Sequence, residues 1–183
     1  MRGIERRIDA GLNPDIDSVA SVFVSRWDAA VAGKVPAPLT NKLGIAIAKR
    51  TYKVYRELLA SPRWQRIFNA GARPQRLLFA STGTKDPKAS DVLYVEALAA
   101  HFTVNTMPEG TLKAFADHGE LGEIMSADDA ELEAVMDQFT AAGIDIDELA
   151  AKLQEEGATS FVKSWDDLLN VISSKTAALQ QAA

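Results

Sequence analysis

Cysteine is absent from the 183 residues, which excludes disulfide frameworks, thiolate metal sites and thiol nucleophiles. Histidine is scarce. His101 and His118 are the only two, too little material for a histidine-built metal centre or triad, and both read as surface or helix-end residues. No apolar run approaches the roughly 20 residues that span a bilayer. The opening Met1-Arg2-Gly3-Ile4-Glu5-Arg6-Arg7 has no apolar core of the kind a secretion signal needs. The expectation is a cytoplasmic protein with no membrane partner. Low-complexity linkers and internal repeats are absent too, which argues against a repeat array or a tethered pair of domains.

What is present is ordinary for a folded chain. Hydrophobic residues make up 47% and charged residues 25%, enough for one domain with a genuine core and unlike a disordered chain. The net charge of −5 conceals an asymmetry. Residues 1–76 hold all ten arginines and four lysines against six acids, a net of +8, and residues 77–183 hold six lysines against nineteen acids, a net of −13. The arginines are spread over several predicted elements without an aromatic-rich basic motif, so a nucleic-acid partner is not expected.

Residues 1–10 read as the tail of a helix, broken by Gly11-Leu12-Asn13-Pro14. Ser18 to Ser25 is an almost continuously apolar run, as in a strand buried on both faces. A loop is expected from Ala29 to Pro38. A helix follows from Thr40 to about Leu59, with Ile47, Thr51, Val54, Tyr55 and Leu58 at helical spacing, and Pro62 stops or restarts it. A second buried strand spans 75–81, a helix lies around Asp91 to Leu98, and a third strand spans 102–107. The rest reads as helix. Leu132, Val135, Met136 and Phe139 share a face, Asp145 with Glu148 forms a capping box for a short helix, and Phe161, Trp165, Leu168, Leu169 and Ile172 line the last one. The Ala/Gln tail is expected to fray. Short buried strands each followed by helix indicate a parallel α/β sheet.

In such folds chemistry gathers where strands end, and three strand ends here are polar. The first ends Ser21-Val22-Phe23-Val24-Ser25-Arg26. Alternation points Ser21, Phe23 and Ser25 one way. Arg26 either grips a phosphate or carboxylate at the rim or pairs with Asp28 to hold the loop. The second ends Ala80-Ser81-Thr82-Gly83-Thr84-Lys85, where backbone N–H groups can approach an anion and Lys85 can supply charge. The spacing is not that of a Walker loop. A Lys85 buried enough could serve as a Schiff-base nucleophile, and an exposed one would simply be solvated. The third ends Val104-Asn105-Thr106-Met107-Pro108, where Asn105 and Thr106 either orient a hydroxylated ligand or satisfy backbone. Trp27, Trp64 and Trp165 read as packing anchors, and Asp91 and Glu96 as an ordinary helix face.

Taken together these segments resemble a known family. Ser18-Val-Ala-Ser-Val-Phe-Val-Ser-Arg26 with Trp27-Asp28 resembles the sixth-strand motif of bacterial transaldolases. The run from Gln75 to Pro87, with Ser90 to Glu96, resembles the seventh strand and helix of the longer transaldolase subfamily, and Thr103 to Glu109 its eighth strand. Ala116-Asp-His-Gly119 and Phe161 to Leu169 are similar to its C-terminal region. The resemblance implies the last three β/α units, strands six to eight, of a (β/α)8 barrel, followed by C-terminal helices. A complete barrel of that kind takes about 250 residues. On this expectation residues 1–183 are the C-terminal half and residues 1–17 the remnant of the preceding helix and loop.

The implied reaction is that of the pentose phosphate pathway. A dihydroxyacetone unit passes from sedoheptulose 7-phosphate to glyceraldehyde 3-phosphate, giving erythrose 4-phosphate and fructose 6-phosphate. A fourth-strand lysine forms a Schiff base, earlier strands supply acids, and neither metal nor organic cofactor takes part. Arg26 then matches the family's phosphate-binding arginine, Ser21 a pocket-lining serine, and Ser81 the position of a second phosphate contact. Where shorter transaldolases place an arginine after that serine, this chain has Gly83, Thr84 and Lys85, and the phosphate role passes to Lys85. No residue here matches the catalytic lysine, which is expected outside this chain. The implied partners are sugar phosphates, with a complementary N-terminal half or self-association through open sheet edges.

Overall fold

The three apolar runs pair as one parallel sheet in the order β1 (Val19–Phe23), β2 (Arg76–Ala80), β3 (Thr103–Thr106). The computed structural model describes residues 1–128 and 130–181. Each strand is shorter than its apolar run, for a local reason. Val24 already has helical angles (φ −85°, ψ −62°), while Ser81 (φ 56°) and Phe102 (φ 62°) are left-handed, and neither conformation continues a strand. The register sets Phe23, Ala80 and Thr106 level with one another, and Val22, Phe79 and Asn105 one step earlier.

Around the sheet lie α1 (Arg2–Asp9), α2 (Ser25–Val31), a 3₁₀ turn (Ala37–Leu39), α3 (Leu43–Ala60), α4 (Pro62–Asn69), α5 (Leu93–Ala97), α6 (Glu109–His118) and α7 (Leu132–Ala141). The stretch expected as loop from Ala29 therefore begins inside α2. These elements form one compact unit, Met1–Gly143, and the chain from Ile144 onward forms a second. The core of the first joins Leu77 and Phe79 of β2 to Val24, to Ala48 and Tyr52 of α3, and to Tyr94 and Leu98 at α5. Burying each large apolar side chain there contributes about 1.5–3 kcal/mol.

Burial on both sides of every strand does not hold. Only β2, which has a neighbour on each side, is largely buried, and β1 is exposed along most of its length. The helices in the core cluster meet the face that carries Leu77 and Phe79. Strict alternation puts Ser21, Phe23, Leu78, Ala80, Val104 and Thr106 on the opposite face. The buried stripe of α3 matches the expected one only in part: Ile47 is buried and Tyr55 packs against the core. Tyr52, Ala48 and Gly44 are inside, whereas Val54 and Leu58 are exposed, because the side of α3 bearing Ala48 and Tyr52 is the one that packs on β2.

Pro62 restarts the helix rather than ending it. It occupies the first position of α4, and the Ser61 hydroxyl accepts the Trp64 N–H at 3.2 Å, as a capping serine does. Trp64 and Ile67 of α4, with Ala72, receive Ile4 and Ile8 of α1, and Arg63 grips Glu5 with two hydrogen bonds. In α7 the expected Leu132, Met136 and Phe139 are buried. Beyond Gly143 the chain forms one helix, α8 (Ile146–Gln181), where two had been expected. Asp145 does cap its start, accepting from the Asp147 and Glu148 N–H groups. Phe161, Trp165, Leu168, Leu169 and Ile172 lie along it, each between 45% and 63% exposed. The end of the expected frayed tail, Ala182 and Ala183, lies outside the described residues.

The joint between β1 and α3 is closed by a buried carboxylate. Asp28 Oδ1 accepts from the Leu43 N–H at 2.9 Å, and Oδ2 from the Gly44 N–H at 3.1 Å. The fit requires glycine at 44. A Cβ there would lie 2.5 Å from the Val24 carbonyl oxygen and 2.6 Å from Asp28 Oδ2, with no flexible side-chain end to give way. Gly44→Ala should therefore lower stability by about 1–3 kcal/mol through overpacking. Urea unfolding checks this; a midpoint equal to that of the native chain would contradict it.

Candidate functional site

The polar ends of β1 and β2 meet through a pair of hydroxyls. Backbone hydrogen bonds continue past the ends of the strands, with Val24 N–H on the Ala80 carbonyl (2.9 Å) and Ser25 N–H on the Ser81 carbonyl (3.0 Å). That brings Ser25 Oγ and Ser81 Oγ to 2.9 Å. Ser25 is buried, and Ser81 is partly accessible. The left-handed backbone of Ser81 is a conformation that non-glycine residues hold at some energetic cost, and such outliers cluster at functional sites. Arg26 follows directly in α2, half-buried, with its guanidinium carbon 4.3 Å from the centre of the Phe23 ring.

The alternative partner for Arg26, Asp28, is engaged elsewhere. Its carboxylate takes the Leu43 and Gly44 N–H groups and also the Tyr94 hydroxyl at 2.8 Å. Lys85 is exposed at its surface position in the next loop. Its neighbour Asp86 has other partners, accepting from Asn41 Nδ2 (2.8 Å) and from the Lys88 N–H (2.9 Å). An exposed amine of this kind can carry charge to an anion, but it lacks the apolar enclosure that prepares a lysine for Schiff-base chemistry.

The remaining candidates separate by face. Ser21 and Thr106 are exposed and share the sheet face opposite the helices, with Phe23 between them and Ala80 beside it. Asn105 belongs to the other face, level with Phe79. Its Oδ1 accepts from the fully buried Thr82 hydroxyl at 2.7 Å, which ties the end of β3 to the loop after β2. Gly83 completes that tie. A Cβ on it would lie 3.0 Å from Pro108 Cγ at the start of α6. A cavity of about 590 Å³ lined by Tyr52, Arg56, His101 and Met125 sits at the opposite ends of the strands and includes none of these residues. Among the described residues no group of three or more His, Asp or Glu is placed to hold a metal ion.

Sequence reasoning did not anticipate the Ser25–Ser81 and Thr82–Asn105 bonds, nor the three donors on Asp28. The one available signal was an acid in the apolar surroundings Trp27-Asp28-Ala29-Ala30-Val31.

The sequence is similar to those of known proteins. The family model described as Transaldolase/Fructose-6-phosphate aldolase matches residues 5–172. The transaldolase of Parafrankia sp. (strain EAN1pec) is 44% identical over 181 residues, covering 94% of this chain and 49% of that protein. The transaldolase of Thermobifida fusca (strain YX) is 41% identical over 187 residues, covering 97% and 51%, and that of Neisseria meningitidis (strain FAM18) is 41% identical over 169 residues, covering 92% and 48%. The chain spans about half the length of these relatives.

Electrostatically, Asp28 dominates the region. Burial pushes its carboxyl above the ordinary aspartate value, and the Tyr94 hydroxyl and the Gly44 and Leu43 N–H groups only partly offset this. The Tyr94 phenol is pushed up as well, by burial and by the adjacent carboxylate, so it stays a neutral donor. A carboxyl raised on folding stabilises the fold fully below its unfolded value of about 3.9, and that contribution is lost as pH rises through the folded value. Asp86 runs the other way, held low by the Lys88 N–H and the Asn41 amide. A carboxyl-carbon NMR titration should therefore find the Asp28 midpoint above that of Asp86. The reverse order would refute the assignment of Asp28 as a desolvated carboxylate.

Proposed function

Because the chain belongs to the transaldolase/fructose-6-phosphate aldolase family, we propose that its strand ends form the phosphate-holding side of a transaldolase pocket. On this reading β1, β2 and β3 are the sixth, seventh and eighth strands of a (β/α)8 barrel. Residues 1–17 are the helix and loop leading into the sixth, and residues 1–183 as a whole are the C-terminal half. The observation that carries the proposal is Arg26, a half-buried guanidinium at a strand end whose nearest acid in sequence, Asp28, is engaged by three other donors. Such a group suits bidentate recognition of a phosphate. The hydroxyl of Ser81 and the charge of Lys85 add to it, with Ser21 and Thr106 along the same sheet face and Asn105 bracing the loop from behind.

The substrates on this reading are phosphorylated sugars, exchanged as sedoheptulose 7-phosphate and glyceraldehyde 3-phosphate for erythrose 4-phosphate and fructose 6-phosphate, in the cytoplasm. The carbon transfer needs a Schiff-base lysine and proton-handling acids held against the phosphate grip, and none of the candidate residues here supplies them. Those groups come from residues outside the 183. A grip on phosphate moves no carbon by itself. The exposed face and free edges of the sheet support a complementary N-terminal half as the partner, and in its absence a second copy.

Three measurements follow from this. The isolated chain treated with fructose 6-phosphate and borohydride should yield no covalent adduct, and a stable adduct mapped to Lys85 would make the chain catalytic by itself. Arg26→Ala should weaken fructose 6-phosphate binding by about tenfold or more, the scale of a lost charge-assisted contact, with Lys85→Ala having a smaller effect; binding indifferent to Arg26 would overturn the phosphate assignment. Sedimentation velocity should show self-association that diminishes when a complementary half is added, and a monomer at all concentrations would count against the edge-pairing partner.

A further inference from the structure

Five N–H donors on a guanidinium are useful to a ligand only if nothing else holds them, and a long side chain with nothing holding it is poorly placed. Arg26 resolves this in a particular way. Among the described residues it has neither an ion pair nor a hydrogen bond, and its guanidinium carbon lies over the face of Phe23, 4.3 Å from the ring centre. Phe23 is the last residue of β1, level with Ala80 and Thr106. Its ring therefore belongs to the sheet face opposite the helices, where Ser21 is also placed. The acid two residues after Arg26 is kept away from it by the Leu43 and Gly44 N–H groups and the Tyr94 hydroxyl.

A ring and a carboxylate hold a guanidinium differently. A carboxylate takes the N–H donors that a phosphate would use, so the pair must separate before the ligand binds. A ring face attracts the cation through its quadrupole and leaves the in-plane donors pointing outward. We propose that Phe23 is a positioning residue: stacking on its ring holds the Arg26 guanidinium at the strand ends with its donors available, and so sets the affinity of the site for the phosphate of a sugar phosphate. This rests on the phosphate reading of Arg26 given above.

Packing alone would give Phe23 a different signature. A half-buried side chain whose role is apolar contact is served nearly as well by leucine or methionine, whereas a ring face is served by tyrosine and by neither of the others. The experiment uses the full chain, with fructose 6-phosphate and inorganic phosphate titrated separately and the Arg26 Nε–Hε resonance followed by NMR. Phe23→Leu should weaken binding of both about three- to fivefold, the scale of a cation–π contact at a partly accessible site. It should also abolish the ring-current shift of that resonance. Phe23→Tyr should bind as the native chain does and keep the shift. Phe23→Met, unbranched and ringless, is the second variant should the leucine form not fold, and it should behave as leucine is expected to.

Native affinity in Phe23→Leu or Phe23→Met would overturn the proposal, and so would equal weakening in the leucine and tyrosine variants. If the native chain itself gives no saturable shift at Arg26 with either probe, the phosphate reading fails first and this one with it. That outcome is distinct from a native chain that binds and is indifferent to the ring.

Discussion

The strand-end architecture depends on where the Asp28 carboxylate is directed. By accepting from the Leu43 and Gly44 N–H groups it satisfies donors that the start of α3 would otherwise leave orphaned. By accepting from Tyr94 it fastens α2 to α5, across a separation of 66 residues. All three bonds form where water is excluded, so each is electrostatically stronger than at the surface, and an unmatched partner would be correspondingly costly. The glycine at 44 follows from the same contact, since a methyl group would stand where the carboxylate and the Val24 carbonyl already are. One side chain therefore fixes the exit of β1, the entry of α3 and the position of α5.

The sheet then divides the candidate residues by parity. A parallel sheet with helices on one face sends odd and even positions to different environments. Leu77 and Phe79 enter the helix-side core, and the register places Asn105 with them. Ser21, Phe23, Ala80 and Thr106 face the other way. Adjacent residues such as Asn105 and Thr106 therefore cannot serve one pocket in the same sense. Thr106 is exposed, its hydroxyl donating to the Phe79 carbonyl at 3.4 Å, while Asn105 accepts the Thr82 hydroxyl and braces the loop in which Gly83 meets Pro108. On the proposed reading the second role serves binding as well, because a loop tied at two points loses less freedom when a ligand arrives.

How much of this was legible in the sequence follows from how local each cause is. The three strands and the helices between them could be read because apolar periodicity is set by neighbours in sequence, and the α7 face of Leu132, Met136 and Phe139 came out as spaced. The burial of β1 could not be read. An apolar run looks the same in a central strand and an edge strand, and only pairing decides which it is. The α3 stripe holds at Ile47 and, in part, at Tyr55, and fails at Val54 and Leu58, which fit the helical spacing as well as Ala48 and Tyr52 do; the choice between them is made by β2. At the site, strand-end position identified Arg26, Ser81 and Lys85 as candidates. The direction in which Asp28 points was not legible, since its partners lie 15, 16 and 66 residues away.

On the proposed phosphate reading, the grip is built apart from the chemistry it serves. Binding energy gained at a remote, unreacting group helps catalysis when it fixes the reacting end of the substrate, which requires the grip to be rigid before the ligand arrives. An arginine held by a carboxylate would be rigid but occupied, and an arginine in water would be available but disordered. Stacked on Phe23, with Asp28 bound elsewhere, Arg26 is both placed and available. None of the contacts that achieve this reaches beyond β1, α2, α3 and α5. On the proposed phosphate reading, the placement of Arg26 is therefore set by these four elements, and the loop after β2 adds Ser81 and Lys85.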